Sequence, residues 1–272
     1  MQLLKLTLLV LFLTPKTSMA ENPFALDFML SPYQIESSTQ ASYLNSKYNI
    51  DSLFFKNTDE SRFINYTQGL SIGLPQEISI GISETYADPL HKNPLNPSEG
   101  KSEFKAPLFS VNKLINFSDV LKFKASINLK PNLTKSNDDF NTLQAGILAI
   151  AKVQSDLDLS FGYTRTRYEL SNTDADIFTL TVSKRLTDDT LLNLSYEETK
   201  WSATKTTLGD FDSSWGHGLT AELSTSIAKN IWIGLNSTYY YNKCTFTPIF
   251  PPIEYTNKTD LYTGGVTIKW IF

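Results

Sequence analysis

The chain has 272 residues with 24 basic and 28 acidic side chains, which give a formal net charge of −4. A mildly acidic chain lacks the basic surface that binds a nucleic-acid backbone, so nucleic acid is excluded as a partner. The single cysteine, Cys244, has no second cysteine with which to form an internal disulfide. Polar and aromatic residues are abundant, and the periodicity of an amphipathic helix is rare throughout the sequence.

Residues 1–20 have the layout of a secretory signal peptide. Lys5 precedes an apolar run from Leu8 to Leu13, and Ser18 and Ala20 form a small-x-small cleavage site. The apolar run is much shorter than the roughly 20 residues that a transmembrane helix needs. We therefore expect export and cleavage after Ala20, with residues 21–272 forming the mature domain.

Two segments compete for the first strand of that domain. In FALDFMLSPY (residues 24–33), large apolar side chains alternate with Ala25, Asp27, Met29 and Ser31. The segment ASYLNSKYNIDSLFF (residues 41–55) alternates less regularly. The pattern therefore favours FALDFMLSPY as the first strand.

Eleven further segments alternate in the same way and are predicted strands. In one of them, Leu121 and Phe123 fall on one face while Lys122 and Lys124 fall on the other. Successive side chains of a strand point to opposite faces, so each segment forms a ribbon with one apolar and one hydrophilic side. The segments lie near residues 61–74, 77–87, 102–115, 120–133, 140–152, 157–170, 176–186, 191–203, 215–227, 231–243 and 260–272.

The connections between these segments alternate between short and long. Tight links occur at LPQE, NFSD, VQSD, LTDD and IAKN, and longer polar stretches such as ADPLHKNPLNPSEGK lie between them. Short turns at one end and long loops at the other are typical of a transmembrane antiparallel up-and-down β-barrel. We predict an all-β barrel of twelve strands, with ten to fourteen possible, because bacterial single-chain barrels carry even numbers. A soluble β-sandwich is the alternative fold, since its strands also alternate.

Aromatic side chains lie near the ends of the predicted strands. Aromatic belts at the two lipid–water interfaces favour the membrane barrel, whereas the core of a sandwich is mainly branched aliphatic. The predicted lipid-interface residues are Trp201, Trp215, Tyr239, Tyr241, Tyr262, Trp270 and Phe272.

The final strand carries a family resemblance. Phe272 at the end, Trp270 two residues before it and apolar residues at alternate upstream positions resemble the C-terminal signature of Gram-negative outer-membrane barrel proteins. The resemblance implies a location in the cell outer membrane, contact with its lipid and lipopolysaccharide, and recognition by the barrel-assembly machinery. The layout is also similar to that of porin-like channels and hydrophobic-compound transporters, with no subfamily indicated.

The hydrophilic faces of the strands predict a polar lumen. Small polar side chains dominate these faces and leave a barrel room for water, while charged side chains among them can select solutes. The predicted pore-lining residues are Lys122, Lys124, Lys130, Arg185, Glu197, Glu222 and Lys269. We therefore expect a channel for small hydrophilic or amphipathic solutes, although the same charges could instead pair within the wall.

Two other functions are compatible with a barrel. Its long loops, among them the aromatic-rich CTFTPIFPPIEYTNK, could recognise a cell surface as an adhesin does. A barrel enzyme of the lipase or protease type would need a nucleophile and a base on one face. The same-face neighbours of His217 are Trp215 and Leu219, with no serine at either position, and His91 lies in a proline-rich loop. Arg165 and Arg167 share the lipid-facing side of their strand, where they could contact lipopolysaccharide phosphates. We expect no enzymatic activity, and nothing in the sequence indicates a cofactor or a metal.

Overall fold

The computed structural model describes residues 22–52, 56–90, 102–131, 141–168, 173–205, 209–250 and 253–272. The predicted signal peptide and His91 lie outside these residues, so both predictions stand as they were made from the sequence. Within the described residues, no helix is long and apolar enough to cross a membrane.

Within the same residues, twelve long strands form one antiparallel sheet that closes on itself. They are β1 (Ile35–Asp51), β2 (Lys56–Leu74), β3 (Ile78–Pro89), β4 (Leu108–Asn116), β5 (Leu121–Lys130), β6 (Thr142–Gln154), β7 (Leu157–Tyr168), β8 (Thr173–Thr187), β9 (Thr190–Trp201), β10 (Ser214–Ala228), β11 (Ile231–Pro248) and β12 (Tyr255–Ile271). Three short pairings extend the rim at Glu103–Phe104, Thr204–Lys205 and Gly209–Phe211.

Each strand pairs with its neighbours in the chain, and the first and last strands close the barrel. The pairing of β1 with β12 runs without a break from Glu36 opposite Ile271 to Asp51 opposite Thr256. At the end of this seam Phe272 N–H donates to Ile35 O over 2.8 Å, and Ile35 N–H donates to Phe272 O over 3.0 Å. The predicted up-and-down barrel is therefore confirmed.

The five tight connections predicted from the sequence all lie at one end of the barrel. They join β2 to β3, β4 to β5, β6 to β7, β8 to β9 and β10 to β11. The seam between Ile35 and Phe272 is at the same end. Short turns mark the periplasmic end of bacterial outer-membrane barrels, so we refer to this end as periplasmic and to the other as extracellular.

The predicted first strand is wrong, although the predicted number of strands is right. The structure forms β1 from residues 35–51, which overlap the segment that the sequence pattern disfavoured. Its outward positions include Ser37, Thr39 and Ala41, so it lacks the apolar face of the other strands. Backbone pairing to β2 and β12 along its whole length specifies this strand instead. The segment FALDFMLSPY lies inside the barrel.

A belt of large apolar side chains surrounds the outside of the barrel. Exposed members of the belt include Phe109, Ile127, Phe161, Leu219 and Leu235, each between 41% and 60% exposed. A continuous exposed belt of this kind is unfavourable in water and favourable against lipid acyl chains. The inner face of the same strands therefore provides the surface at which solutes can be bound.

Candidate functional site in the barrel lumen

Residues 22–34, which we call the inner segment, cross the lumen at the periplasmic end. They contact β5 on one side of the barrel and β9 to β12 on the other, and they also contact β2. In a closed ring of twelve strands, β5 and β11 are diametrically opposite. The inner segment therefore spans the full width of the lumen.

An apolar contact holds one part of the inner segment against the wall. Phe24, Leu191 and Trp232 are buried together, and Ala25 packs against them. A Cβ atom at Gly234 would lie 2.6 Å from the Phe24 ring, so the absence of a side chain at Gly234 makes room for the ring. The wall of β9 and β11 is thus shaped to accept Phe24.

Three predicted pore-lining lysines bind the inner segment. Lys122 Nζ lies 2.5 Å from Asp27 Oδ2, which makes an ion pair. Lys124 Nζ donates to the Phe28 carbonyl over 3.1 Å and to the Leu26 carbonyl over 3.4 Å.

Lys269 makes the third of these contacts, from β12. Its Nζ donates to the Pro23 carbonyl over 3.0 Å, lies 3.5 Å from Glu36 Oε2 and lies 4.7 Å from the centre of the Phe24 ring. Hydrogen bonds from charged donors are the stronger ones in proteins, so these lysines fix the segment on two opposite sides. All three lysines lie inside the barrel and face the inner segment.

The far end of the inner segment is attached to β2. Tyr33 N–H donates to the Gly73 carbonyl over 2.8 Å, and Gly73 N–H donates to the Gln34 carbonyl over 2.9 Å. A Cβ atom at Gly73 would lie 2.1 Å from the Ser31 carbonyl oxygen. Only a residue without a side chain fits this close approach of two backbones.

Beyond the inner segment lies a cavity of about 420 Å³. Phe24, Ala25 and Leu26 line its floor, and its wall is mainly polar. The wall residues are Asn112, Lys124, Ser126, Asn128, Leu148, Thr181, Asn193, Ser195, Thr220 and Glu222. The volume falls within the range of about 300–1,000 Å³ that is usual for small-molecule sites.

A smaller cavity of about 100 Å³ lies at the periplasmic end beside Asp27. Lys122, Lys152 and Arg185 bring positive charge to it, and Asp27 and Asp158 bring negative charge. Arg185, one of the predicted pore-lining residues, therefore lies at this cavity. Charges of both signs meet here, so this cavity has no single preferred sign of ion.

The remaining predicted pore-lining residues also lie on the inner face. Glu222 lines the large cavity, and its Oε2 accepts a hydrogen bond from Asn193 Nδ2 over 3.1 Å. Glu197 Oε1 accepts from Thr199 Oγ1 over 2.9 Å. Lys130 follows Ser126 and Asn128 on the inward side of β5.

The predicted interface aromatics divide into two groups. Trp215 and Tyr262 are 46% and 47% exposed on the outer face, and the rings of Tyr239 and Tyr262 are 4.8 Å apart. Tyr241 and Trp270 share the outward side of their strands, and Phe272 ends the seam.

Trp201 does not belong to that belt, so this part of the prediction is wrong. It occupies the same face of β9 as Glu197 and Thr199, and its Nε1–H donates to Tyr240 OH inside the barrel over 3.1 Å.

The side chains of His217 and Arg165 both make contacts on the outer face. His217 Nδ1 lies 2.9 Å from Tyr196 OH, and the two rings stack. Arg165 lies 2.6 Å from Asp174 and 3.8 Å from Asp176, so its charge is already balanced by two carboxylates. Arg165 is therefore less available to lipid phosphates than the sequence suggested.

The residues of the inner segment were not among those predicted to line the lumen. Phe24 and Asp27 were placed in a strand because large apolar residues alternate there. One available signal was that Ala25 and Met29 make the other side of this segment apolar too, which does not suit a face that lines water. Pro23 and Pro32 on either side also disfavour a strand in the middle of a sheet.

Comparisons with known proteins agree on the fold. An outer membrane channel from Pseudomonas putida F1 matches with a TM-score of 0.59 and 8% identity, over 92% of this chain and 100% of that chain. The NanC porin matches with a TM-score of 0.52 and 9% identity, over 85% of this chain and 98% of that chain. No protein-family model and no curated protein sequence matches the chain. The chain thus has the fold of the outer-membrane β-barrel channels.

Proposed function

We propose that the protein is an outer-membrane channel for small hydrophilic or amphipathic solutes. The observation that carries this proposal is a closed barrel with an apolar outer belt and a polar inner face around a cavity of about 420 Å³. The outer belt suits lipid, and the inner face suits water and polar solutes. The two solved channels named above lend support at the level of the fold.

The cavity wall favours small solutes that carry polar groups. Lys124 lies on β5 and Glu222 on β10, which are well separated around the barrel. Asparagine, serine and threonine side chains between them offer both donors and acceptors of hydrogen bonds. Leu148 and Phe24 add apolar surface, which extends the proposal to amphipathic solutes.

The inner segment acts in this proposal as a closure at the periplasmic end. A solute that leaves the cavity toward the periplasm meets Phe24, Ala25 and Leu26. The segment is held by one ion pair, several hydrogen bonds to the wall and the packing of Phe24. The strands of the barrel pair with one another and not with the segment, so the segment can be released while the barrel stays folded.

The first test is recording from the purified protein in a planar lipid bilayer. We expect discrete conductance steps, and liposomes that contain the protein should swell in small sugars or amino acids. Absence of conductance steps from correctly folded protein would contradict the proposal.

A substitution in the inner segment tests its role as a closure. Asp27→Asn removes the ion pair with Lys122, both partners of which are about one-third exposed. The pair is then worth about 1 kcal/mol, so the open state should become roughly fivefold more populated. Asp156→Asn is the matched control, because it breaks an ion pair with Lys184 in a periplasmic turn without contact to the segment. The Lys184 hydrogen bond lowers the pKa of the Asp156 carboxyl below its ordinary value.

A further inference from the structure

Three aromatic side chains meet inside the barrel on the extracellular side of the large cavity. They are Tyr168 at the end of β7, Trp201 at the end of β9 and Tyr240 on β11. Along the inner face of β9, Asn193 and Ser195 line the cavity, and Glu197, Thr199 and Trp201 follow toward the extracellular end. A solute that enters from outside therefore passes these three residues, which we call the aromatic cluster, before it reaches the cavity.

The rings of the aromatic cluster are held in place by one another and by small wall residues. Tyr168 and Trp201 stack with ring centres 5.6 Å apart, and Trp201 Nε1–H donates to Tyr240 OH over 3.1 Å. A Cβ atom at Gly216 would lie 1.9 Å from Tyr240 OH, so the tyrosine lies directly over this glycine. The register pairs Trp201 with the fully buried Ala175. The cluster is thus a preformed aromatic surface on the wall.

The side chain of Glu197 lies next to the aromatic cluster. A Cβ atom at Gly218 would lie 3.3 Å from Tyr240 Cδ2 and 3.4 Å from Glu197 Cβ, so Tyr240 and Glu197 flank the same glycine. Glu197 accepts a hydrogen bond from Thr199. Within the described part of the chain, no lysine or arginine lies within ion-pair distance of Glu197.

Glu197 is the charged residue that lies next to the aromatic cluster. On the inner face of β7 to β11, we consider the described residues that lie between the level of Glu197 and the extracellular end. All of these residues except Glu197 are uncharged. The lysines that bind the inner segment lie on β5 and β12, toward the periplasmic end, and Lys130 lies on the inner face of β5, two strands away from Tyr168. A carboxylate that makes no ion pair among the described residues and lies beside three aromatic rings attracts a cation.

We infer that the aromatic cluster and Glu197 form a binding site for an organic cation, such as a solute with a methylated ammonium group. Trp and Tyr rings attract cations through their negative faces, and Trp does so most strongly. Glu197 adds the opposite charge, while the aromatic rings accommodate the methyl groups that a small metal ion lacks. Anionic solutes are repelled by the same carboxylate. The inference deepens the proposed channel function by naming a class of solute.

Binding can be measured without any conductance. Detergent-solubilised protein is dialysed to equilibrium against radiolabelled choline, with unlabelled tetramethylammonium or 3,3-dimethylbutan-1-ol as competitor. The alcohol has the shape of choline without its charge. We expect saturable binding that tetramethylammonium displaces and that an equal concentration of the alcohol leaves unchanged.

Matched substitutions locate the binding. Trp201→Leu and Glu197→Gln should each weaken choline binding about tenfold. Trp215→Leu and Glu198→Gln are the controls. Glu198 follows Glu197 on β9 and faces outward, and Trp215 faces outward on the adjacent strand β10. Glu197→Gln keeps the size of the side chain, so it tests the charge without disturbing the wall.

The outcomes separate this inference from the channel proposal. Choline binding that fails in Trp201→Leu and Glu197→Gln supports the site even if bilayer recordings show no conductance. Conductance without saturable choline binding overturns the site and leaves the channel. Equal displacement of choline by the neutral alcohol, or equal loss of binding in the two control variants, also overturns it.

Discussion

At the residue scale, glycines determine where aromatic rings and backbones approach the barrel wall. Gly234 leaves space for the Phe24 ring, and Gly216 leaves space for Tyr240. Neither glycine has a positive φ angle. Both positions therefore require glycine because a side chain would not fit, and not because of the backbone conformation. A side chain at either position would have to displace its aromatic neighbour.

Gly234→Val tests the contact with Phe24. The new Cβ would lie 2.6 Å from the ring, so we expect Phe24 to leave its place and the inner segment to loosen. Single-channel recording should show longer openings than in the wild type. Gly264→Ala is the control, because its Cβ would meet no atom closer than 3.8 Å. Unchanged openings in Gly234→Val would mean that Phe24 does not hold the segment.

At the element scale, alternation in the sequence predicted eleven strands and all five tight turns. Alternation succeeds there because each strand has lipid on one side and the lumen on the other. Apolar and polar residues therefore follow the two-residue period of the strand. It fails for β1, whose outward Ser37, Thr39 and Ala41 give no apolar face. It also fails for the inner segment, because Phe24 and Leu30 are apolar in order to pack inside the barrel and not against lipid.

For Trp201, the alternation of side chains between the two faces of a strand is a better guide than its position near the strand end. Its place at a strand end suggested the aromatic belt, but it lies four residues after Glu197 and therefore on the same, inward face. This alternation can be read from the sequence, and it places Trp201 on the inward face. Its contacts with Tyr168 and Tyr240 depend on the register across four other strands, which the sequence does not contain as a local signal.

The closing seam between β1 and β12 yields a prediction about assembly. Deletion of Phe272 removes two backbone hydrogen bonds to Ile35 and the terminal aromatic residue. We expect much less folded, heat-modifiable protein in the outer membrane, with export across the inner membrane unchanged. Phe272→Tyr retains the backbone and the ring and should assemble nearly normally. Normal assembly of the deletion variant would show that the last residue is dispensable.

At the scale of the whole molecule, the barrel combines a wide polar interior with a segment that crosses it. Its polar lumen, apolar belt and turn pattern follow from the sequence, as does the lumenal position of the charged residues. The closure at the periplasmic end does not, because it depends on contacts between residues as distant in sequence as Pro23 and Lys269. The proposed closure of the channel therefore depends on the inner segment.

The most direct test of this account is single-channel recording from a variant that lacks residues 22–34 but retains residues 1–21. Heat modifiability of the purified variant should first confirm that its barrel is folded. We predict brief openings for the wild type, and larger, long-lived conductance steps for the variant, because no segment then crosses the lumen. Identical conductance and open times in the two proteins would contradict the account.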